Sequence, residues 1–256
     1  FKTSIVRKRV QNMINIYVYK NHLEQQVQEQ TAVLRKAYEK LEKQKERVEK
    51  LNKDILDMLG TIVEFRNLES GEHIMRVKGY TKILAEKFKE LYPEYNLTDE
   101  TIDNIVEASA LHDLGKISIP DKILLKPGKL TKEEFEYMKL HTVKGCELIQ
   151  AVNLEQSEEL KQICYDIIRY HHERYDGKGY PDGLKGDEIP VSAQLVSLAD
   201  VYDALINERC YKDAFSKEKA FNMIMNGECG TFSPKLLETF KQVRDKFERF
   251  AIEERK

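Results

Sequence analysis

Hydrophobic side chains recur every seven residues along the first quarter of the chain, in two registers that lie three residues apart. The first register holds Met13, Lys20, Val27, Leu34, Leu41, Val48, Ile55 and Ile62, and the second holds Ile16, Leu23, Gln30, Ala37, Gln44, Leu51 and Met58. A repeat of this period sustained over many turns is typical of a coiled coil. Residues 1–58 are therefore predicted to form a long helix that dimerises and transmits a signal. Because the second register is half polar, a solvated single helix is the alternative.

Beyond residue 58 the apolar positions follow helical spacing. Proline and glycine interrupt them at Pro93, Pro120, Pro127, Gly128 and within 176–190. No run alternates convincingly between apolar and polar residues, apart from short extended pieces near 117–125. Residues 59–256 are predicted to form one all-α globular domain, so the expected fold is a helical bundle preceded by a long N-terminal helix.

Histidines and acidic residues occupy helix positions that should face the core. His112 lies seven residues after Ile105, and His171 lies four after Ile167, so each shares the apolar face of its helix. One histidine so placed would be a satisfied core residue, because buried charged groups need partners. Eight such groups on five helices instead indicate metal ligands inside a bundle. The eight are Glu69, His73, His112, Asp113, His141, His171, His172 and Asp200.

The number and type of these donors limit the metal. Eight ligands are too many for one ion, so two or three divalent ions are expected. Mixed imidazole and carboxylate ligation suits iron or manganese, with zinc or another divalent ion as alternatives. Two bridged metals can hold a hydroxide and stabilise the attacking and leaving oxygens of a phosphoryl displacement. Phosphate-ester hydrolysis is thus the leading chemistry, and oxygen chemistry on a di-iron centre is its competitor.

Composition and charge narrow the partners and the location. The 42 basic and 44 acidic residues nearly cancel, which argues against nucleic acid or an anionic membrane as the main partner. No apolar run is long enough to span a bilayer. The four cysteines form no C-x-x-C pair and are expected to be thiols in a reducing cytoplasm. Since the first residue is Phe, the chain is expected to be a piece of a longer protein.

Four motifs together resemble a known family. They are "HDLGK" (112–116), "IPDKILLKPGKLTKEEFEYMKLH" (119–141), "HHERYDGKGYP" (171–181) and "SLADVYDALINERCYK" (197–212). They resemble the HD superfamily of metal-dependent phosphohydrolases, and in particular its HD-GYP subfamily, over residues 60–240. The resemblance implies an all-helical domain that hydrolyses cyclic dinucleotides, chiefly cyclic di-GMP, to linear pGpG or GMP. A cyclic GMP-AMP phosphodiesterase and a non-hydrolysing receptor or docking module are the alternatives.

The resemblance also implies roles for individual residues. The eight donors named above become the metal ligands, with Asp113 bridging and Glu69 marking a three-metal site. Lys116 would lie against the scissile phosphate, so the catalytic pair is Asp113 and Lys116. Arg209, Lys212 and Tyr180 would contact the substrate. Ordinary surface charge pairs remain the alternative for the three basic residues.

The glycine-rich loop is expected to have a role in substrate access or in docking. Gly179, Tyr180 and Pro181 would line the pocket mouth or dock diguanylate cyclase domains, although tight turns alone would also need these residues.

At the N-terminal end of the chain, the segment "FKTSIVRKRVQNMI" resembles the tail of a two-component receiver domain. If so, phosphorylation of a preceding domain would change the coiled-coil geometry and, through it, the helix that carries Glu69.

Overall fold

The structure is a computed structural model, and it describes residues 2–66, 72–151, 158–207 and 214–253. Within these ranges the secondary structure is entirely helical, which confirms the predicted all-α class. The α-helices are α1 (Lys2–Arg66), α2 (Glu72–Leu91), α3 (Asp99–Ser109), α4 (Asp121–Leu124), α5 (Lys132–Lys139), α6 (His141–Ala151), α7 (Glu158–Tyr170), α8 (Val191–Ile206), α9 (Lys217–Met225) and α10 (Pro234–Glu253). Short 3-10 helices cover Pro93–Tyr95, Leu114–Ser118 and Gly186–Glu188.

The chain divides into two compact units, Phe1–Asn52 and Lys53–Lys256. The first unit is helical throughout its described length, as the heptad pattern predicts. Its heptad side chains are exposed, Leu34 to 70% and Leu41 to 63%. The predicted division into residues 1–58 and 59–256 stays a prediction.

Aromatic side chains from three helices form the centre of the second unit. In α10, apolar residues recur at spacings of three and four, and they are all buried: Leu236, Phe240, Val243, Phe247 and Ala251. This is the apolar stripe expected of a helix with one buried face. Tyr80 of α2 stacks on Phe247 at 4.6 Å, and Tyr202 of α8 meets the same ring edge-on at 5.0 Å. These contacts fix α2 and α8, which carry two of the expected metal ligands.

No strand forms in the stretch 117–125, where the sequence suggested short extended pieces, and the extended backbone there is that of Ile119 and Pro120. A 3-10 helix runs through it to Ser118, and Asp121–Leu124 forms α4 after Pro120. Pro120 supplies a backbone angle suited to a helix start, and its carbonyl accepts hydrogen bonds from the amides of Ile123 and Leu124. None of the helices in the described ranges is both long and apolar enough to cross a membrane.

Candidate metal centre

Tight winding after α3 brings His112 and Asp113 into the interior together. Thr98 caps the start of α3 by accepting a hydrogen bond from the Thr101 amide, and the helix ends at Ser109. Beyond it, each amide bonds a carbonyl three residues earlier, including His112 to Ser109 and Lys116 to Asp113. Three-residue turns place neighbouring side chains differently from an α-helix. As a result both members of the HD pair are buried.

One cluster of candidate ligands gathers around an Asp113 carboxylate oxygen. Asp113, His141, His171 and His172 offer ligand atoms that all lie within 4.8 Å of one another. Asp113 Oδ1 is 3.3 Å from His141 Nε2 and 3.8 Å from His171 Nε2. The two Nε2 atoms are themselves only 3.5 Å apart. At this distance the lone pairs of two neutral imidazole nitrogens repel each other, unless a proton or a cation lies between them.

A second cluster lies on the other side of the same carboxylate. Glu64, His73 and His112 offer ligand atoms within 4.8 Å of one another. His112 Nε2 is 3.3 Å from Asp113 Oδ2, and His73 Nε2 is 3.7 Å from Asp200 Oδ1. Asp113 therefore presents Oδ1 to the first cluster and Oδ2 to the second. That is the arrangement in which one carboxylate can bridge two cations.

Backbone carbonyls orient three of the imidazoles. The Nδ1 atoms of His112, His141 and His171 lie 2.8, 2.8 and 2.9 Å from the carbonyl oxygens of Ser109, Met138 and Ile167. A carbonyl can only accept, so Nδ1 carries the proton in each ring. In a neutral ring the Nε2 lone pair then points into the cluster, as it does in metal-ligating histidines held by an outer hydrogen bond.

Burial and nearby charge separate the histidines into two electrostatic classes. Burial lowers the pKa of His141, and burial together with neighbouring imidazoles lowers the pKa of His171 to about 3 and that of His172 well below its usual range. Burial also acts on His112, but the carboxylates of Asp113, Asp200 and Glu64 outweigh it and raise the pKa of His112 to about 10. The first group is neutral and ready to ligate at neutral pH, whereas His112 holds a proton.

The carboxylate of Asp113 stays ionised in spite of its burial. Burial favours the neutral acid, yet Lys116 and His112 outweigh it and lower the pKa of Asp113 well below the ordinary carboxyl value. Lys116 Nζ is 2.5 Å from Asp113 Oδ2. The centre thus holds an anionic bridge flanked by a lysine and by imidazoles.

These residues fit divalent cations. His112 Nε2 and Asp113 Oδ1 are buried and make no hydrogen bond within the described part of the chain. A buried polar atom without a hydrogen bond costs about 1–3 kcal/mol, and coordination to a cation would satisfy both atoms. The donors are imidazole nitrogen and carboxylate oxygen, a set suited to iron, manganese or zinc.

Binding of a divalent cation is expected to release protons from the second cluster. With its pKa raised to about 10, His112 is protonated near neutral pH and must lose its proton to become a ligand. His141, His171 and His172 are already neutral and release none. Calorimetric titration with Mn²⁺ at about pH 7, in buffers of different ionisation enthalpy, should show release of about one proton or more. A heat of binding that is the same in every buffer would contradict this.

The other predicted site residues fall into two groups. Tyr180 packs its ring on His172, with 4.7 Å between centroids, and burial raises the pKa of its hydroxyl. Gly179 passes so close to the backbone of Glu173 that a Cβ would lie 2.4 Å from its Cα, so a side chain does not fit there. Pro181 follows Tyr180 in the same loop. Glu69, Arg209 and Lys212 lie outside the described residues.

Sequence reasoning missed three buried acids. Glu64, on α1, joins the second cluster. Asp203 lies 2.7 Å from His73 Nδ1 through Oδ2, and Arg76 Nε donates to its Oδ1 at 2.6 Å. Glu173, the third residue of the "HHE" motif, accepts hydrogen bonds from the amides of Asp182 and Gly183 through Oε1. It therefore fixes the backbone directly after the Gly179–Pro181 loop. A signal existed for Asp203, which follows Ala199 by four residues on the buried face of α8.

Comparison with known proteins identifies the class. The family model of the HD domain matches residues 71–236. The chain belongs to the HD domain family, and the HD-superfamily bundle that its motifs predict is confirmed.

Three curated relatives place it more closely. It is 43% identical over 192 residues to a cyclic di-GMP phosphodiesterase of Vibrio cholerae, covering 74% of this chain and 39% of that protein. It is 38% identical over 200 residues to a cyclic di-GMP phosphodiesterase of Thermotoga maritima, covering 77% and 51%. It is also 38% identical over 196 residues to the 3'3'-cGAMP-specific phosphodiesterase 2 of Vibrio cholerae, covering 77% and 35%. The chain thus spans between 35% and 51% of the length of these relatives.

Proposed function

We propose that the chain is a metal-dependent phosphodiesterase that hydrolyses cyclic di-GMP to linear pGpG or GMP. The observation that carries the proposal is the Asp113 carboxylate, whose two oxygens face two separate groups of imidazoles. The names of the relatives support the same activity. Two or three ions, iron or manganese, fit this set of nitrogen and oxygen donors.

The residues that would hold the ions come from six places in the chain. They are Glu64, His73, His112, Asp113, His141, His171, His172 and Asp200 from the described ranges, with Glu69 as a further predicted ligand. Bound ions would supply Lewis acidity at the phosphoryl oxygens and lower the pKa of a coordinated water. The carbonyl-bound Nδ1 atoms keep the rings fixed during the reaction, so little reorganisation is needed.

Lys116 and Tyr180 act on the substrate side of the centre. The ammonium of Lys116, which contacts the Asp113 carboxylate, is proposed to donate a hydrogen bond to an oxygen of the scissile phosphate. The Tyr180 ring covers His172 and so limits access of water to the first cluster. Arg209 and Lys212 are proposed to bind the second phosphate or the guanine bases. A fixed guanidinium and an ammonium suit a ligand with two negative charges.

Cyclic GMP-AMP is the second candidate substrate, because one relative is a phosphodiesterase specific for it. Both dinucleotides carry the same two phosphodiesters, so the metal centre itself does not distinguish them. The test is to purify the chain anaerobically with iron or with manganese, add each dinucleotide separately, and follow products by chromatography. Linear dinucleotide or GMP from cyclic di-GMP supports the proposal. Turnover of cyclic GMP-AMP alone would identify that dinucleotide as the substrate. Binding of a dinucleotide without turnover would indicate a non-hydrolysing receptor.

The first unit is proposed to form a parallel homodimer through its heptad seam. Its apolar side chains are exposed in register, and burying them against a second copy would remove that surface from water. A receiver domain preceding it, contacts between the Gly179–Pro181 loop and diguanylate cyclase domains, and action in the cytoplasm remain predictions.

Leu34→Glu combined with Leu41→Glu is expected to convert this dimer to a monomer. Each change places a carboxylate in the seam, where it would face its own copy across the parallel pair. Analytical ultracentrifugation should show the change in mass, while the thermal unfolding of the second unit stays the same. Glu39→Gln, on an exposed side chain outside both registers, is the matched control. A wild-type chain that sediments as a monomer would contradict the dimer.

A further inference from the structure

The last described residue of α1 clamps the segment that follows the HD pair. Arg66 donates through Nη1 to the carbonyl oxygens of Lys116 and Ile117, both at 2.8 Å. Through Nη2 it donates to the carbonyl oxygen of Ile119 at 2.7 Å and to Asp121 Oδ1 at 2.6 Å. One guanidinium thus makes four hydrogen bonds to a stretch of six residues. Three of the four go to backbone, so they fix the path of the chain.

The clamped backbone is that of Lys116 itself. The Lys116 carbonyl accepts from Arg66 and from the Ile119 amide at 3.0 Å, and the Lys116 amide donates to the Asp113 carbonyl at 2.9 Å. The side chain of Lys116 in turn contacts the Asp113 carboxylate. The orientation of the ammonium therefore depends on a short 3-10 helix, and helices of this type are weakly stabilised by their own hydrogen bonds.

Close packing holds the same segment from two sides. A Cβ at Gly115 would lie 1.8 Å from the His141 carbonyl oxygen, so the segment is pressed directly against α6. On the α1 side, a Cβ at Gly60 would lie 2.4 Å from the carbonyl oxygen of Ala110, two residues before His112. From Lys116 to Asp121, across the end of the 3-10 helix at Ser118, the Arg66 clamp continues the attachment to α1.

We infer that Arg66 is a positioning residue, which holds the 3-10 helix so that the Lys116 ammonium points at the scissile phosphate. This inference rests on the proposed phosphodiesterase function. Arginine suits the role because its planar fork presents several donors at fixed angles to separate carbonyls, whereas a lysine ammonium at the same place cannot reach all of them together. The hydrogen bonds of Arg66 to the described residues go to the 116–121 segment and to none of the candidate metal ligands described there, so the inferred route of its action is through Lys116.

Arg66→Gln and Arg66→Lys test this, beside Lys116→Met and the double variant Arg66→Gln with Lys116→Met. We expect Arg66→Gln to lower kcat on cyclic di-GMP by about 10- to 100-fold, with KM within about threefold and metal content unchanged. Arg66→Lys should recover part of the loss. The double variant should be no slower than Lys116→Met alone, because both changes remove the same interaction. Arg244→Gln, which removes the ion pair with Glu248 and the cation–π contact with Phe221 but no contact with the 114–121 segment, is the matched control.

Hydrogen exchange followed by mass spectrometry supplies a readout that needs no turnover. Arg66→Gln should speed exchange of the amides in 114–121 by about tenfold or more, with little change in the peptides that contain His141 or His171. Unchanged exchange in 114–121, or losses of kcat that add in the double variant, would overturn the inference. Failure of the wild-type chain to hydrolyse any cyclic dinucleotide would instead refute the proposed function, and the exchange comparison would still decide whether Arg66 holds this segment.

Discussion

Asp113→Asn is expected to abolish hydrolysis of cyclic di-GMP and to strip the centre of metal. The side chain keeps its shape, but one oxygen becomes an amide nitrogen that cannot ligate, and the negative charge between the two clusters disappears. His112 would also lose the first of the carboxylates that raise its pKa. Turnover should fall by at least about 100-fold, because a single electrostatic group at a reacting centre is commonly worth about 10²–10³ and the loss of metal would add to this. The measurements are product formation by chromatography and metal content by mass spectrometry.

Asp103→Asn provides the matched control for this change. Asp103 lies on α3 with its side chain exposed, so the same loss of charge should leave turnover and metal content unaltered. The double variant His112→Ala with Asp113→Ala should be as inactive as the single variant, since both remove the bridge. Turnover within about tenfold of wild type in Asp113→Asn would show that this carboxylate does not bridge the reacting ions.

Asp203→Asn should weaken metal binding and destabilise the second unit at the same time. Asp203 accepts from His73 Nδ1 at 2.7 Å and from Arg76 through both carboxylate oxygens, at 2.6 and 3.1 Å. Loss of the negative charge weakens the acceptor that orients His73, and loss of such a partner commonly reduces metal affinity by about 10- to 100-fold. It also leaves the buried Arg76 with only the exposed Glu72 carboxylate, 3.4 Å away, as a counter-ion, at a cost of up to roughly 3–5 kcal/mol. Metal titration and chemical denaturation measure the two effects separately.

A second variant separates stability from ligand orientation. Arg76→Met combined with Asp203→Asn removes both charges, so most of the lost stability should return. Metal affinity should stay low, because a neutral amide oxygen polarises the His73 ring less than a carboxylate does. Asp245→Asn, an exposed acid on α10, should change neither quantity. Wild-type metal affinity in Asp203→Asn would mean that the contact with His73 is structural only.

The amino-acid sequence by itself determined the helical class and the long first helix, and it predicted the set of candidate metal ligands. These follow from spacing along the chain, because a buried face repeats every three to four residues and a histidine on that face needs a partner. Seven of the eight predicted metal ligands lie in the described ranges, and the structure brings all seven to one region. Near 117–125, where short extended pieces were expected, a 3-10 helix and α4 flank the extended Ile119 and Pro120; the sequence did not indicate these helices, because turns bonded over three residues have no clear period in so short a stretch.

Only the tertiary structure decided how those ligands are grouped. His112 belongs to the second cluster, whereas its neighbour Asp113 lies between the two clusters, and His73 meets His112 because α2 packs against α3. When the sequence is read alone, Glu64 and Arg66 look like ordinary helix charges, and Asp203 shows only that it lies on the buried face of its helix. Their roles depend on partners 48, 50 and 130 residues away, at His112, Lys116 and His73. Local periodicity says which side of a helix is buried, but the angle and register of helix packing decide what that side touches.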